Sequence, residues 1–164
     1  MVKQIDMVQK KEQYLQFMDK YKTAVISTKD ELDNPFISYA PVVLHEGKFY
    51  IYISKITDHY KFIENNDLIH IMLIADETDS PNLFARERVR FQCTAENVGN
   101  DGYEEVFAKF VAKHGAPMMG VLRGLDLSLF ELTPKEGRFV VGFGQAFDVD
   151  VTGERFEHVV IDKK

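Results

Sequence analysis

The sequence predicts a mainly β protein: a small, partly closed β-barrel of about six or seven antiparallel strands with helical flanks. Apolar residues make up 45% of the 164 residues, and 13 Phe and 7 Tyr supply bulky side chains for the faces of a sheet. Most apolar segments are short, rich in β-branched and aromatic residues, and bounded by turn residues. Helical periodicity interrupts them in only two or three places, whereas an open parallel sheet needs regular alternation of strands and helices.

Seven segments have the composition and length of strands. They are residues 23–28, 36–44, 49–54, 68–75, 85–98, 127–132 and 138–151. Glu46-Gly47 predicts a hairpin turn between the second and third strands, because Gly accepts the positive φ that tight turns require. Pro41 cannot donate a ladder hydrogen bond and predicts an edge or a bulge. The nearly continuous apolar run of residues 68–75 predicts a strand that is buried on both faces.

Helices are predicted at three places. Residues 6–20 carry apolar side chains at helical spacing between Lys and Glu residues, which predicts an amphipathic helix at the N-terminus. Residues 57–65 predict a short helix. Asn100 or Asp101 is a suitable N-cap for a further helix that runs to about His114. The strands therefore have helices at their flanks.

The composition limits the function. No linker or repeat divides the chain, so residues 1–164 are predicted to form one domain with a C-terminal tail over about 152–164. Cys93 is the single cysteine, which excludes an intramolecular disulfide and suits a reducing compartment. The formal charge of −6 argues against nucleic acid and anionic membrane surfaces as partners. No window approaches the roughly 20 apolar residues of a membrane span, so the expected location is the cytoplasm.

Two groups of residues invite a functional interpretation. Arg86, Arg88 and Arg90 form a basic run, and strand alternation predicts that all three lie on one face. Gly142 and Gly144 do not form a phosphate-binding loop, because no helix follows them and no GK[ST] motif is present. These glycines instead predict a bulge or the close approach of another backbone or a flat ligand. The five histidines form no multi-histidine metal motif.

Five segments, in order along the chain, resemble the HugZ/HutZ family, the haem-utilisation branch of the pyridoxamine-5'-phosphate-oxidase-like, FMN-binding split-barrel superfamily. They are FISYAPVVLHEGKFYIYIS, ITDHYKFIENN, LFARERVRF, LDLSLFEL and EGRFVVGFGQAF. The resemblance extends from about Tyr21 to Phe147. It implies a split-barrel homodimer with ligand clefts at the interface, and haem that is both bound and opened oxidatively to release its iron. It also implies an electron donor as a further partner.

The same resemblance nominates individual residues. Members of the family take the axial haem ligand from the C-terminal tail, where this sequence offers His158 as the ligand of the iron. Asp126 is the candidate acidic partner for the other ring nitrogen, which would raise the basicity of the ligand. Arg86, Arg88 and Arg90 match the FARxR stretch, which implies an arginine near the open side of the iron or at a haem propionate. A guanidinium suits a carboxylate because it can donate two parallel hydrogen bonds.

The main alternative is an FMN-binding oxidoreductase. The flavin branches of the superfamily bind FMN at the equivalent cleft and typically place a lysine or arginine for its phosphate after the third strand. The corresponding position here holds His59, with Lys61 offset from it. Lys61, Ser54 and Arg86 could still meet a phosphate together.

Further alternatives remain at this stage. One is a carrier or storage protein that binds haem without turnover, which would need the same axial ligand. His158 could also be an ordinary histidine of the tail. The arginines could form cross-strand ion pairs with Glu87 or Glu96.

Overall fold

In the computed structural model, which describes residues 4–160, eight antiparallel strands form one sheet in the order β3-β2-β1-β4-β5-β6-β7-β8. The strands are β1 (Thr23–Lys29), β2 (Pro35–His45), β3 (Lys48–Ser54), β4 (Leu68–Ile74), β5 (Arg88–Gly99), β6 (Leu127–Gly142), β7 (Gln145–Val149) and β8 (Phe156–His158). Strand β3 also pairs with β6, which closes β1 to β6 into a barrel and leaves β7 and β8 as an extension. The predicted mainly β barrel is confirmed.

The closing strands are divided differently from the prediction, and β8 adds one strand to the seven predicted segments. The segments predicted at 127–132 and 138–142 form one continuous strand, β6, which passes through Pro134. A register shift accommodates this proline, since Phe91 lies opposite Gly137 while Cys93 lies opposite Pro134. A proline in a bulge leaves no ladder hydrogen bond unmade.

A two-residue hairpin turn then separates β6 from β7. Gly142 pairs with Gln145 across the turn, and Gly144 takes a φ of 67°. The register shift between Val140 and Gly142 forms the bulge predicted for these glycines, and the hairpin turn follows it directly. Strand β8 lies in the segment predicted as a tail, and Phe147 of β7 pairs with His158.

Two predictions about individual strands were wrong. Strand β5 begins at Arg88, whereas Arg86 ends the 3-10 turn of Leu83–Ala85, so Arg86 does not share a strand face with Arg88 and Arg90. Strand β4 alternates between buried and exposed positions, with Leu68 and His70 exposed, and is not buried on both faces. One face of β4 belongs to the barrel interior and the other to the outer surface of the sheet.

The first two helices agree with the sequence prediction. Helix α1 (Met7–Lys20) begins at Asp6, whose side chain accepts a hydrogen bond from the backbone N–H of Gln9 at 3.1 Å. The buried Tyr14 of α1 donates a hydrogen bond to the carbonyl of Asp150 at 2.7 Å, which ties the helix to the end of β7. Helix α2 (Asp58–Glu64) follows β3.

The helical segment after β5 differs from the prediction. Helix α3 (Glu104–His114) begins after Tyr103, because the Asn100 side chain donates a hydrogen bond to the carbonyl of Leu127 at 3.0 Å and does not cap a helix. Gly115, with a φ of 96°, separates α3 from the unpredicted helix α4 (Ala116–Arg123). None of the helices within residues 4–160 is long and apolar enough to cross a membrane.

The barrel interior is closely packed at Gly137 of β6. A Cβ atom there would lie 2.5 Å from the buried Phe91 ring and 2.8 Å from the carbonyl oxygen of Arg90. We expect Gly137→Ala to lower the free energy of unfolding by about 2 kcal/mol, because overpacking displaces the core ring or the backbone. Denaturant unfolding will measure the change.

Gly120→Ala provides the matched control. Gly120 lies inside α4, and a Cβ atom there meets nothing within 4 Å. Alanine at this position should leave stability unchanged or raise it by up to about 1 kcal/mol, since it favours the helix. Equal effects of the two substitutions would contradict the packing assigned to Gly137.

Candidate functional site

Apart from Arg90, the predicted site residues lie in two groups at opposite ends of β6. We call one the β8 end, which is where β5 begins and β6 finishes. Arg88 pairs with Val140 at this end, and Arg86 and His158 lie nearby. We call the other the β3 end, where Ser54 pairs with Leu127. The other residues of the β3 end are Asp126, His59 and Lys61. Within one chain the two groups do not form a single site.

At the β8 end, His158 has one ring nitrogen held by the protein. Its Nε2 lies 3.0 Å from the carbonyl oxygen of Gly144, and the half-buried ring packs 5.4 Å from that of Phe147. A carbonyl oxygen can only accept, so Nε2 carries the proton and donates. In the neutral ring the lone pair is then on Nδ1. This is the arrangement of a metal-ligating histidine whose other nitrogen is fixed by a backbone carbonyl.

The two arginines at this end are held by backbone carbonyls. Arg86 donates from Nε to the carbonyl of Ala75 at 2.5 Å, and Arg88 donates from Nη1 to the carbonyl of Arg86 at 2.8 Å. Within residues 4–160, the ion-pair partner of Arg86 is the carboxylate of Glu77, at a long distance of 4.0 Å. No ion pair with Glu87 or Glu96 is found there, and Glu87 accepts a hydrogen bond from Gln13 instead. The Arg86 charge is therefore weakly compensated and can attract an anion.

Two exposed aromatic rings lie near these groups and were not predicted as site residues. Phe84 is 88% exposed on the 3-10 turn that precedes Arg86, and Phe143 is 72% exposed at the β6–β7 hairpin. Val141 lines the same surface hollow as Arg86. The one sequence signal for Phe143 was its place between two glycines, because an apolar residue is unusual in a tight turn.

Arg90 lies away from both ends, on the outer face of the sheet. It pairs across the strands with Arg138, and both line a hollow of about 200 Å³ together with His70. Arg138 donates two hydrogen bonds to Asp148, at 2.9 and 3.1 Å. Arg90 is exposed and remains a candidate for an anionic group on this face.

At the β3 end, Asp126 is exposed and does not contact His158. Its carboxylate lies 3.4 Å from the ammonium of Lys55, and the two residues also share a backbone hydrogen bond of 3.0 Å. Ser54 accepts a hydrogen bond from the N–H of Ile56 at 3.4 Å. Because the Asp126–Lys55 ion pair is exposed, it contributes little to stability, and Asp126 can exchange Lys55 for another partner.

His59 and Lys61 both have protein partners. The Nδ1 atom of His59 lies 3.0 Å from the Ser38 hydroxyl, and burial lowers the pKa of this imidazole. Lys61 lies 2.6 Å from the carboxylate of Glu31, and this hydrogen bond raises the pKa of the lysine. At neutral pH the imidazole is therefore uncharged, and a phosphate would compete with Glu31 for the lysine.

The sequence comparison identifies the family. The family model for pyridoxamine 5'-phosphate oxidase matches residues 11–141. The chain belongs to this family. It is also 37% identical, over 138 residues, to the Vibrio cholerae protein named heme oxygenase HutZ, with 82% of this chain and 77% of that protein covered. The resemblance read from the five motifs is confirmed.

Solved structures agree with the assignment to this family of split barrels. The crystal structure of Campylobacter jejuni ChuZ matches with a TM-score of 0.84 and 28% identity over 95% of this chain. This chain spans 64% of the length of that ChuZ chain. The crystal structure of HutZ, described as the heme storage protein of Vibrio cholerae, matches with a TM-score of 0.73 and 35% identity over 81% of this chain and 95% of that chain.

Proposed function

We propose that this protein binds haem for the use of its iron and degrades it oxidatively. His158 carries the proposal, because its half-buried ring is held by Gly144 and Phe147 and a neutral imidazole supplies the nitrogen lone pair that iron requires. The names of the relatives, heme oxygenase and heme storage protein, support the same ligand. The proposal includes the oxidative degradation of haem and an electron donor that supplies the reducing electrons for it.

The residues at the β8 end suit the chemical groups of haem. Haem is a flat apolar ring with two carboxylates, and when bound it supplies an iron that activates dioxygen. His158 would hold the iron through one ring nitrogen, and its contacts with Gly144 and Phe147 position the imidazole at the β8 end. Arg86 and Arg88 offer guanidinium donors for a propionate or for a polar group at the open side of the iron. Arg90 is the corresponding candidate on the outer face.

A homodimer would bring the two groups of site residues together. His158 pairs with Phe147, which pairs with Phe139 of β6, whereas Asp126 immediately precedes β6. About 40 Å of strand, at roughly 3.3 Å per residue, separates Asp126 from Phe139. A two-fold axis can place the β3 end of one copy against the β8 end of the other, and the symmetry then forms two equal sites. Asp126 would then lie beside His158 of the partner copy and could accept a hydrogen bond from the ring nitrogen that does not bind the iron.

The outer face of the sheet offers a surface for this dimer. Ile37 and Tyr39 of β2 are 72% and 57% exposed and point outward. Val25 of β1 lies between Tyr39 and Met72 in the ladder, so the four side chains form a continuous apolar face. Soluble monomers rarely expose such a face, and a second copy would cover it.

Haem storage without turnover is the second candidate, because HutZ is described both as a heme oxygenase and as a heme storage protein. Binding of FMN is suggested by the family that matches the chain. The contacts of Lys61 with Glu31 and of His59 with Ser38 favour haem over FMN, since both candidate phosphate ligands are already engaged.

Separate titrations with haem and FMN test the ligand. We expect saturable binding of about one haem per protomer with a shifted Soret band, and no saturable change for FMN. In air with ascorbate as the reductant, the Soret band should disappear and iron should be released to a chelator. A Soret band that persists with the reductant would favour storage. Saturable FMN binding without any response to haem would overturn the proposal.

A further inference from the structure

The β6–β7 hairpin carries an apolar ring that the barrel does not use. Phe143 and Gly144 are its two turn residues, between the paired Gly142 and Gln145. Such positions favour Gly, Asn and Asp, which relieve backbone strain or bond to the local backbone. Phe143 does neither, and its ring is 72% exposed rather than packed on the core. Its side chain is therefore available to something outside the chain.

The hairpin also positions the proposed iron ligand. The carbonyl of Gly144, the residue after Phe143, accepts the hydrogen bond from His158. A Cβ atom at Gly144 would meet nothing within 4 Å, so the space beside the turn is open. An exposed aromatic ring and open space thus occur on the turn whose Gly144 carbonyl holds the imidazole of His158.

A second exposed ring lies at the same end of the barrel. Phe84 belongs to the 3-10 turn of Leu83–Ala85, where its N–H donates to the Asn82 side chain at 3.0 Å. The residues after it, Ala85 and Arg86, line a hollow with Val141 of β6. An aromatic group and a weakly compensated cation therefore follow one another on this turn.

We infer that Phe143 and Phe84 form an aromatic clamp that holds the ring of a planar, apolar dicarboxylate of tetrapyrrole type. This inference rests on the proposed function and deepens it, because it assigns recognition of the ring separately from ligation of the iron. Aromatic side chains bind flat conjugated ligands through stacked or edge contacts. The occupant is a small ligand rather than a second copy, because the cationic Arg86 and the imidazole of His158 match the carboxylates and the iron of a haem.

Metal-free protoporphyrin IX separates ring contacts from iron ligation. We expect Phe143→Ala to weaken the binding of both protoporphyrin IX and haem by about tenfold, since both share the ring. His158→Ala should weaken haem binding and leave protoporphyrin IX binding near its wild-type affinity. Phe143→Tyr keeps the aromatic ring and should retain most of the affinity for both. Fluorescence and absorbance titrations measure the dissociation constants.

Met118→Ala is the matched control, because it also removes an exposed apolar side chain, on α4. It should leave both affinities unchanged. If the wild type binds both ligands and Phe143→Ala binds them equally well, the clamp is wrong while the proposed function stands. If Phe143→Ala converts a dimer to a monomer in sedimentation experiments, a second copy is the occupant and the clamp is again wrong. A wild type that binds neither ligand overturns the proposed function itself.

Discussion

Replacing His158 with alanine should abolish the absorbance signature of histidine-ligated haem iron. The imidazole, which Gly144 holds in place, is the group proposed to ligate the iron, and alanine offers no nitrogen in its place. We expect the variant to bind haem only weakly, through the ring and the carboxylates. The Soret band of the bound haem should resemble that of free haem. Absorbance spectra of the ferric and ferrous forms measure the change. Added imidazole should restore part of the signature if the cavity left behind admits it.

His114→Ala is the control for this experiment. His114 is another half-buried histidine, and its Nε2 lies 3.5 Å from a backbone carbonyl, that of Val42. It lies at the end of α3 and is not a predicted ligand. This variant should keep the wild-type spectrum. Wild-type absorbance and affinity in His158→Ala would show that the axial ligand is another residue.

Local patterns predicted most of the barrel but not its closure. Alternating apolar residues located the strands and the Glu46-Gly47 turn located the β2–β3 hairpin, because both signals act over a few residues. The continuation of β6 through Pro134 depends on a register shift against β5, which no window of the sequence contains. The β6–β7 turn was missed because phenylalanine is not a residue type that predicts a turn, although Phe143 occupies one here.

The distribution of the site residues could not be predicted for a similar reason. Family motifs nominated His158, Asp126 and Arg86, yet a motif does not say which end of a strand a residue occupies. The long-range pairs Ser54 with Leu127 and Arg88 with Val140 determine that separation. The departure of Arg86 from the strand reflects the 3-10 turn before it, which has no apolar periodicity of its own.

Placing a charge on the apolar outer face should dissociate the proposed dimer and, with it, the haem site. Tyr39 is exposed at the centre of this face, opposite Val25 in the ladder. In Tyr39→Asp, a two-fold interface would bury two new carboxylates, and each unpaired buried charge is costly. We expect the dissociation constant of the dimer to rise at least about a hundredfold, equivalent to roughly 2.7 kcal/mol. Analytical ultracentrifugation and haem titration of the same samples measure both effects.

The two measurements separate the dimer from the composite site. In the dissociated variant each chain still carries His158, Arg86 and its own Asp126, so any loss of haem affinity must come from the missing partner. Leu32→Asp places the same charge at an exposed turn residue off the face and should change neither measurement. A Tyr39→Asp protein that remains dimeric would place the interface elsewhere. A monomer with wild-type haem affinity would mean that one chain forms the complete site and that Asp126 has no role across the interface.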